Sequence, residues 1–346
     1  MIRRLAVPAA LLAALALVLS ACGEKQESTA APRTQPLTLV LDYLPNADHA
    51  GIYAAKARGL FRRQGLDVRI VTPPDPSSPL KLLEAGRADL AITYEPELFL
   101  ARDKGAQVVS VAALVQRPLT SLMSVGKQAI TRPAQLEGKR VGTAGIPYQS
   151  AELQAILQHA GVDPKSVTQV NVGFNLVPAM LSNKVDATLG AFWNYEGIQL
   201  QRQRKNPKVI RVDRAGVPTY SELVLAARAQ TLRQDGEKVR RFLRALAEGH
   251  ALLRRDPAAG VDELVRANPD LDRGLQLASV RATLPVFFPA DRSKPWGYMQ
   301  TAQWARFARW MLENRLLTQT PDPIAAITNE FLPGQGLTNN GRTPEG

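Results

Sequence analysis

The chain of 346 residues is poor in reactive side chains: it has one cysteine, three histidines, and aromatic residues at only 6% of positions. The lone thiol, Cys22, rules out an internal disulfide framework. His49, His159 and His250 stand at no metal-ligand spacing from one another or from Cys22, so the sequence carries no His/Cys metal motif. Also missing are the Gly-x-x-x-x-Gly-Lys-Ser/Thr phosphate loop, the Gly-x-Gly-x-x-Gly turn after a strand and the Gly-x-Ser-x-Gly elbow, and with them the commonest NTPase, dinucleotide-enzyme and hydrolase signatures. There is no block of one charge either. Lys and Arg (43) outnumber Asp and Glu (31), a net +12, but the basic residues are spread from Lys56 to Arg315 and have few aromatics between them. That spread reads as solvated helix faces and not as a nucleic-acid surface, and no nucleic-acid partner is expected. Beyond the first 21 residues no uninterrupted apolar run is long enough to span a membrane.

A composition of 45% hydrophobic and 21% charged residues supplies a sizeable core, and the length suits two domains. Residues 1–21 begin with two arginines, continue as an apolar stretch and end in Leu19-Ser20-Ala21 before Cys22. This is the pattern of a secretory signal. Its ending resembles the lipobox of bacterial lipoproteins, in which the cysteine carries lipid and becomes the mature N-terminus. Cys22 is therefore the expected lipidation site, residues 22–36 a polar lipidated tether, and the protein is expected on the periplasmic or cell-surface side, anchored to membrane.

The body alternates short β-branched runs with amphipathic segments. Strands are expected at 37–42, 67–72, 89–93 and 107–114, then at 140–142, 168–172, 187–191, 208–212 and 222–226, with helices between them. The clearest helix is 236–254, where Val239, Phe242, Leu243, Leu246, His250 and Leu253 share an apolar face, making His250 structural. Two β–α sets and a helical tail give an α/β fold of two lobes. Lobe 1 is expected from 37–125 and 220–332, lobe 2 from 126–219, and a flexible tail from 333–346.

Ligands of open α/β sheets bind at the carboxyl ends of the strands. Four strand-end loops there mix rings with amides or carboxylates: Asp42, Tyr43, Asn46, Asp48 and His49; Tyr94 and Glu95; Tyr148 and Gln149; and Trp193, Asn194, Tyr195 and Glu196. Such a mixture suits a small planar heterocycle, stacked on its faces and hydrogen-bonded along its edge.

The run from Asp42 to Lys56, with Gly59-Leu60-Phe61, Gly65-Leu66-Asp67-Val68 and Trp193-Asn194-Tyr195-Glu196-Gly197, resembles the SsuA/THI5-like (NMT1-like) substrate-binding proteins of ABC importers. Among these the likeness is greatest to the ThiY-type pyrimidine-precursor binders of thiamin salvage. The resemblance implies a type II periplasmic binding protein fold with a ligand cleft between two α/β lobes, crossed by the chain near 124–128 and 217–223. It further implies a non-catalytic, monomeric protein that takes a formylaminopyrimidine or hydroxymethylpyrimidine to ABC permease and ATPase subunits, with no cofactor and no metal. Ligand contacts are expected from Asp42, Tyr43, Asn46, His49, Tyr94, Glu95, Tyr148, Trp193, Asn194, Tyr195 and Glu196, with Tyr43 and Trp193 or Tyr195 as stacking rings, Glu196 as the acceptor ahead of Glu95 and Asp42, and Asn46 and His49 as edge donors. Tyr43 stands where the family usually has tryptophan, and Ala47, Asp48 and Ala50 depart from Thr, Asn and Thr. The alternative ligands on the same fold are riboflavin and an alkanesulfonate. A third reading is a pyrimidine synthase of the fungal type, with pyridoxal phosphate on a lysine and a histidine four residues later. Thr93 and Glu97 stand at those two positions, and neither can perform those roles.

Overall fold

The computed structural model describes residues 34–127 and 129–335. The expected signal segment, Cys22, most of the tether, Gln128 and most of the tail lie outside the described residues. Among the described residues there are ten strands: β1 (Gln35–Val40), β2 (Leu66–Val71), β3 (Leu90–Thr93), β4 (Val108–Val115), β5 (Thr120–Ser124), β6 (Arg140–Thr143), β7 (Thr168–Asn171), β8 (Ala187–Phe192), β9 (Lys208–Arg211) and β10 (Leu223–Arg228). They form two five-stranded sheets, ordered β2-β1-β3-β10-β4 and β7-β6-β8-β5-β9.

The two sheets share one plan. In the first, β1 runs parallel to β2 and β3, and β10 enters antiparallel between β3 and β4. In the second, β6 runs parallel to β7 and β8, and β5 enters antiparallel between β8 and β9. Each inserted strand follows directly on a crossing from the other sheet, at residues 116–119 and 212–222. The first crossing therefore precedes the expected one at 124–128. Thr120–Ser124 reads TSLMS, too short and too mixed to show a period, and only its pairing with β8 and β9 makes it a strand of the second sheet. The first strand also begins two residues early, at Gln35. Pro36 is tolerated there because β3 pairs with β1 only from Leu39 onward, so the missing N–H is not needed on that side.

Strands covered on both faces are apolar throughout: β3 is buried at every position, and β10 at all but its last. On the first sheet the long helix Ala229–Arg255 breaks its helical geometry at Asp235, so the apolar stripe expected from residue 236 is a separate helical piece. It crosses the Ala50–Ala57 helix at a glycine contact, where a Cβ on Gly249 would lie 2.3 Å from the Gly51 carbonyl oxygen. A Cβ on Gly51 would strike the His250 ring at 2.6 Å. His250 is buried against Trp296 and Phe287, with Nδ1 3.1 Å from the Leu246 carbonyl oxygen, and burial lowers its pKa to about 4, so it is a neutral packing residue. The chain's last segments return to the first sheet, where Ile327 bridges Ser110. The Arg273–Thr283 helix packs against residues of both lobes, Ala47–His49 on one side and Glu196–Arg202 on the other.

Candidate functional site

The carboxyl ends of β1 and β3 face those of β6 and β8 across a cleft lined by Asp42, Tyr43, Asn46, Tyr94, Ala144, Ile146, Tyr148, Gln149, Leu176, Gly190, Phe192, Tyr195 and Glu196. It holds about 370 Å³ of non-atom space.

On the first-lobe wall the polar groups satisfy one another. The Asn46 side chain accepts from the Asp48 backbone N–H at 2.8 Å and donates to the Leu44 carbonyl at 3.1 Å, capping the turn after β1. The Asn46 backbone N–H donates to His49 Nδ1 at 3.2 Å, which places the imidazole proton on Nε2; that nitrogen donates to Asp42 Oδ1 at 2.9 Å. Tyr94 donates its hydroxyl to Asp42 Oδ2 at 2.9 Å. Asp42 is therefore held from both sides, and His49, buried with both nitrogens engaged, orients Asp42 instead of offering the expected edge donor. Tyr94 packs across the cleft on Tyr148 with ring centroids 5.1 Å apart, and this pair forms its floor. At the mouth, Tyr43 meets Phe174 of the second lobe edge-to-face at 4.7 Å.

The second-lobe wall keeps polar atoms free. Glu196 begins the helix after β8; its Oε2 accepts the Phe192 backbone N–H at 2.7 Å, and Oε1 makes no hydrogen bond to any other described residue. Desolvation, only partly offset by hydrogen bonds from the backbone N–H groups of Phe192 and of Glu196 itself, raises its pKa to about 7. Gln149, 2% exposed, accepts the Ala144 backbone N–H at 2.8 Å through Oε1, while its amide nitrogen is without an acceptor among the described residues.

Of the residues expected from sequence, seven line the cleft: Asp42, Tyr43, Asn46, Tyr94, Tyr148, Tyr195 and Glu196. Four do not. His49 lies behind Asp42. Glu95 is fully buried and accepts the Ser221 backbone N–H at 2.7 Å, anchoring the second crossing, and burial raises its pKa to about 8. Trp193 donates its indole N–H to the Pro118 carbonyl at 3.1 Å, with Arg211 over its ring, so it braces the first crossing and stacks on nothing in the cleft. Asn194, buried between the lobes, donates to Asp48 Oδ1 at 2.9 Å and to Thr283 Oγ1 at 2.6 Å. Together with the bond from Gln276 to the Tyr195 hydroxyl at 3.0 Å, it latches the second lobe to the first and to the tail. Asp48, wholly buried in that latch, has its pKa raised to about 7 by desolvation.

The two crossings are themselves tied. Glu222 accepts the Thr120 backbone N–H at 2.7 Å and its hydroxyl at 2.8 Å, and Tyr220 places its hydroxyl 3.4 Å from both Glu222 and Glu152. Missed from sequence were Gln149 and Phe192 as lining residues; both stood in the strand-end loops, where only a free polar atom or an inward ring would have marked them.

The NMT1/THI5 like family matches residues 46–259. The formylaminopyrimidine-binding protein of Halalkalibacterium halodurans is 31% identical over 85% of this chain and 91% of its own. The 4-amino-5-hydroxymethyl-2-methylpyrimidine phosphate synthase THI11 of Saccharomyces cerevisiae is 26% identical over 86% of this chain and 88% of its own. Among solved structures, the alkanesulfonate-binding protein SsuA of Xanthomonas axonopodis pv. citri, bound to MOPS, aligns with a TM-score of 0.67 at 20% identity, over 86% of this chain and 99% of that one. The two-sheet architecture is accordingly that of the periplasmic binding proteins.

Proposed function

The chain belongs to the NMT1/THI5-like family, and from that premise we propose that it is an extracytoplasmic lipoprotein that captures an aminopyrimidine precursor of thiamin. The ligand is of the formylaminopyrimidine or hydroxymethylpyrimidine type, and ABC permease and ATPase subunits receive it. The observation that carries this reading is the free Oε1 of Glu196 in a cleft walled by Tyr43, Phe192 and Tyr195 and floored by Tyr94 and Tyr148. An aminopyrimidine presents an amino donor beside a ring nitrogen. A carboxyl group pairs with both, and one proton serves the pair, on the carboxyl oxygen or on the ring nitrogen. A pKa near 7 keeps that proton available at neutral pH. Rings from the two lobes cover the heterocycle's faces, at about 1–3 kcal/mol per stacked ring by analogy with base stacking. Membrane attachment through lipid on Cys22 rests on the lipobox-like ending alone.

No arginine or lysine is among the residues lining the cleft, whereas Asp42 and Glu196 face it, which argues against a sulfonate. A synthase would hold pyridoxal phosphate as a Schiff base, and the residues do not fit that group. Thr93 stands at the lysine position and donates its hydroxyl to Glu97 at 2.6 Å, and the cleft has no amine to form the imine. Titration calorimetry of the soluble body with 4-amino-5-hydroxymethyl-2-methylpyrimidine, riboflavin and MOPS tests the proposal. Binding of the pyrimidine alone supports it; preference for riboflavin or the sulfonate replaces it.

A further inference from the structure

Like Glu196, Gln149 is a cleft residue whose side chain is half fixed and half free. Its Oε1 accepts the Ala144 backbone N–H, which settles the amide orientation and leaves Nε2 as the other end. That NH₂ lies against Gly190 of β8, where an added Cβ would come within 2.3 Å of it. Gly190 has a φ of +111°, a conformation that L side chains rarely adopt, so backbone and side chain there agree in making room for the amide. Among the described residues Nε2 has no acceptor, yet both Gln149 and Gly190 line the cleft.

Glu196 is held at Phe192, two residues further along β8. Residues two apart on a strand share a face and lie about 6.6 Å apart. The second-lobe wall therefore presents an acceptor at one position and a donor roughly one substituent's reach away. Resting on the reading of the cleft as an aminopyrimidine site, we infer that Gln149 is a specificity-determining residue. Its amide donates to a carbonyl or hydroxyl oxygen on the arm carried by the ring carbon next to the amino group. Such a donor accepts formylated or hydroxylated arms and rejects an aminomethyl arm, whose ammonium brings only donors and no acceptor.

The test is calorimetry at pH 7 with three 4-amino-2-methylpyrimidines that differ only at position 5: formylaminomethyl, hydroxymethyl and aminomethyl. The wild-type protein is expected to bind the first at least tenfold more tightly than the third. Gln149→Glu keeps an oxygen for the Ala144 N–H and replaces the free donor with an acceptor, so it should reverse that order. Gln149→Leu should weaken the formylaminomethyl compound about tenfold and leave the aminomethyl compound unchanged; a melting curve for each variant verifies folding. Equal affinities in the wild type, or an unchanged order in folded Gln149→Glu, overturn the inference while leaving the pyrimidine site standing. If the wild type binds none of the three, the site reading itself fails and this inference falls with it.

Discussion

In the first lobe, Asp42, His49, Asn46 and Tyr94 hydrogen-bond to one another and to their own turn; in the second, Gln149 and Glu196 each engage one backbone N–H and keep a polar atom toward the cleft. The loops occupy equivalent places, at the carboxyl ends of the inner parallel strands of two sheets with the same plan. A group already paired with its neighbours cannot turn to a ligand without breaking a bond, so the first wall acts as a rigid platform. On the proposed reading, the second wall, with unpaired donor and acceptor, reads the ligand's edge. The Asn194–Asp48 bond ties the two lobes to each other.

If the second wall does the reading, Glu196→Gln should have the largest effect. Glutamine retains the oxygen for the Phe192 N–H but cannot share a proton with the ring, and a hydrogen bond to a charged group contributes about 1.5–3 kcal/mol. Affinity for hydroxymethylpyrimidine should fall about ten- to a hundredfold by calorimetry, with little change in the ligand-free melting temperature. The same wild-type affinity should fall as pH rises beyond about 7, because Glu196 then loses the proton the pair needs, and Glu196→Gln should flatten that alkaline limb. An equally large loss from Asn46→Ala, and none from Glu196→Gln, would invert the comparison.

Asn194→Ala removes the Asn194 bonds of the latch without replacing a cleft-lining residue. Binding should weaken about tenfold, and small-angle scattering at saturating ligand should show a larger radius of gyration than the wild type; an unchanged radius would mean the latch does not hold closure. Trp193→Ala should act chiefly on stability. It lowers the ligand-free melting temperature by several degrees, through loss of its packing and its bond to Pro118, and leaves ligand affinity within a few-fold.

A separate effect concerns pH and the empty protein. Burial raises the carboxyl pKa values of Asp48, Glu97, Glu196 and Glu222 to about 7 and that of Glu95 to about 8. In the unfolded chain these groups titrate near 4, so between about pH 5 and 8 the folded state binds more protons than the unfolded state. Stability should be greatest below that window and fall as pH rises through it. A melting temperature that climbs from pH 5 to pH 8 would contradict the burial of these groups in the cleft, the latch and the crossings.

From sequence alone the chain determined its β–α alternation, the motif from Asp42 to Lys56 and the four strand-end loops, because each is set by residues close in the chain: periodicity over one element, or His49 and Asp42 seven positions apart. Tertiary structure decided which polar groups in those loops are already used. Asn194 meets Asp48 146 residues away, Glu95 meets Ser221 126 residues away, Trp193 meets Pro118 75 residues away, and β5 becomes a strand only beside β8 and β9. A residue type states what a side chain can bond. Only folding determines whether a side chain is turned to a distant partner away from the cleft, as at Glu95 and Asn194, or keeps part of its capacity facing the cleft, as at Gln149 and Glu196.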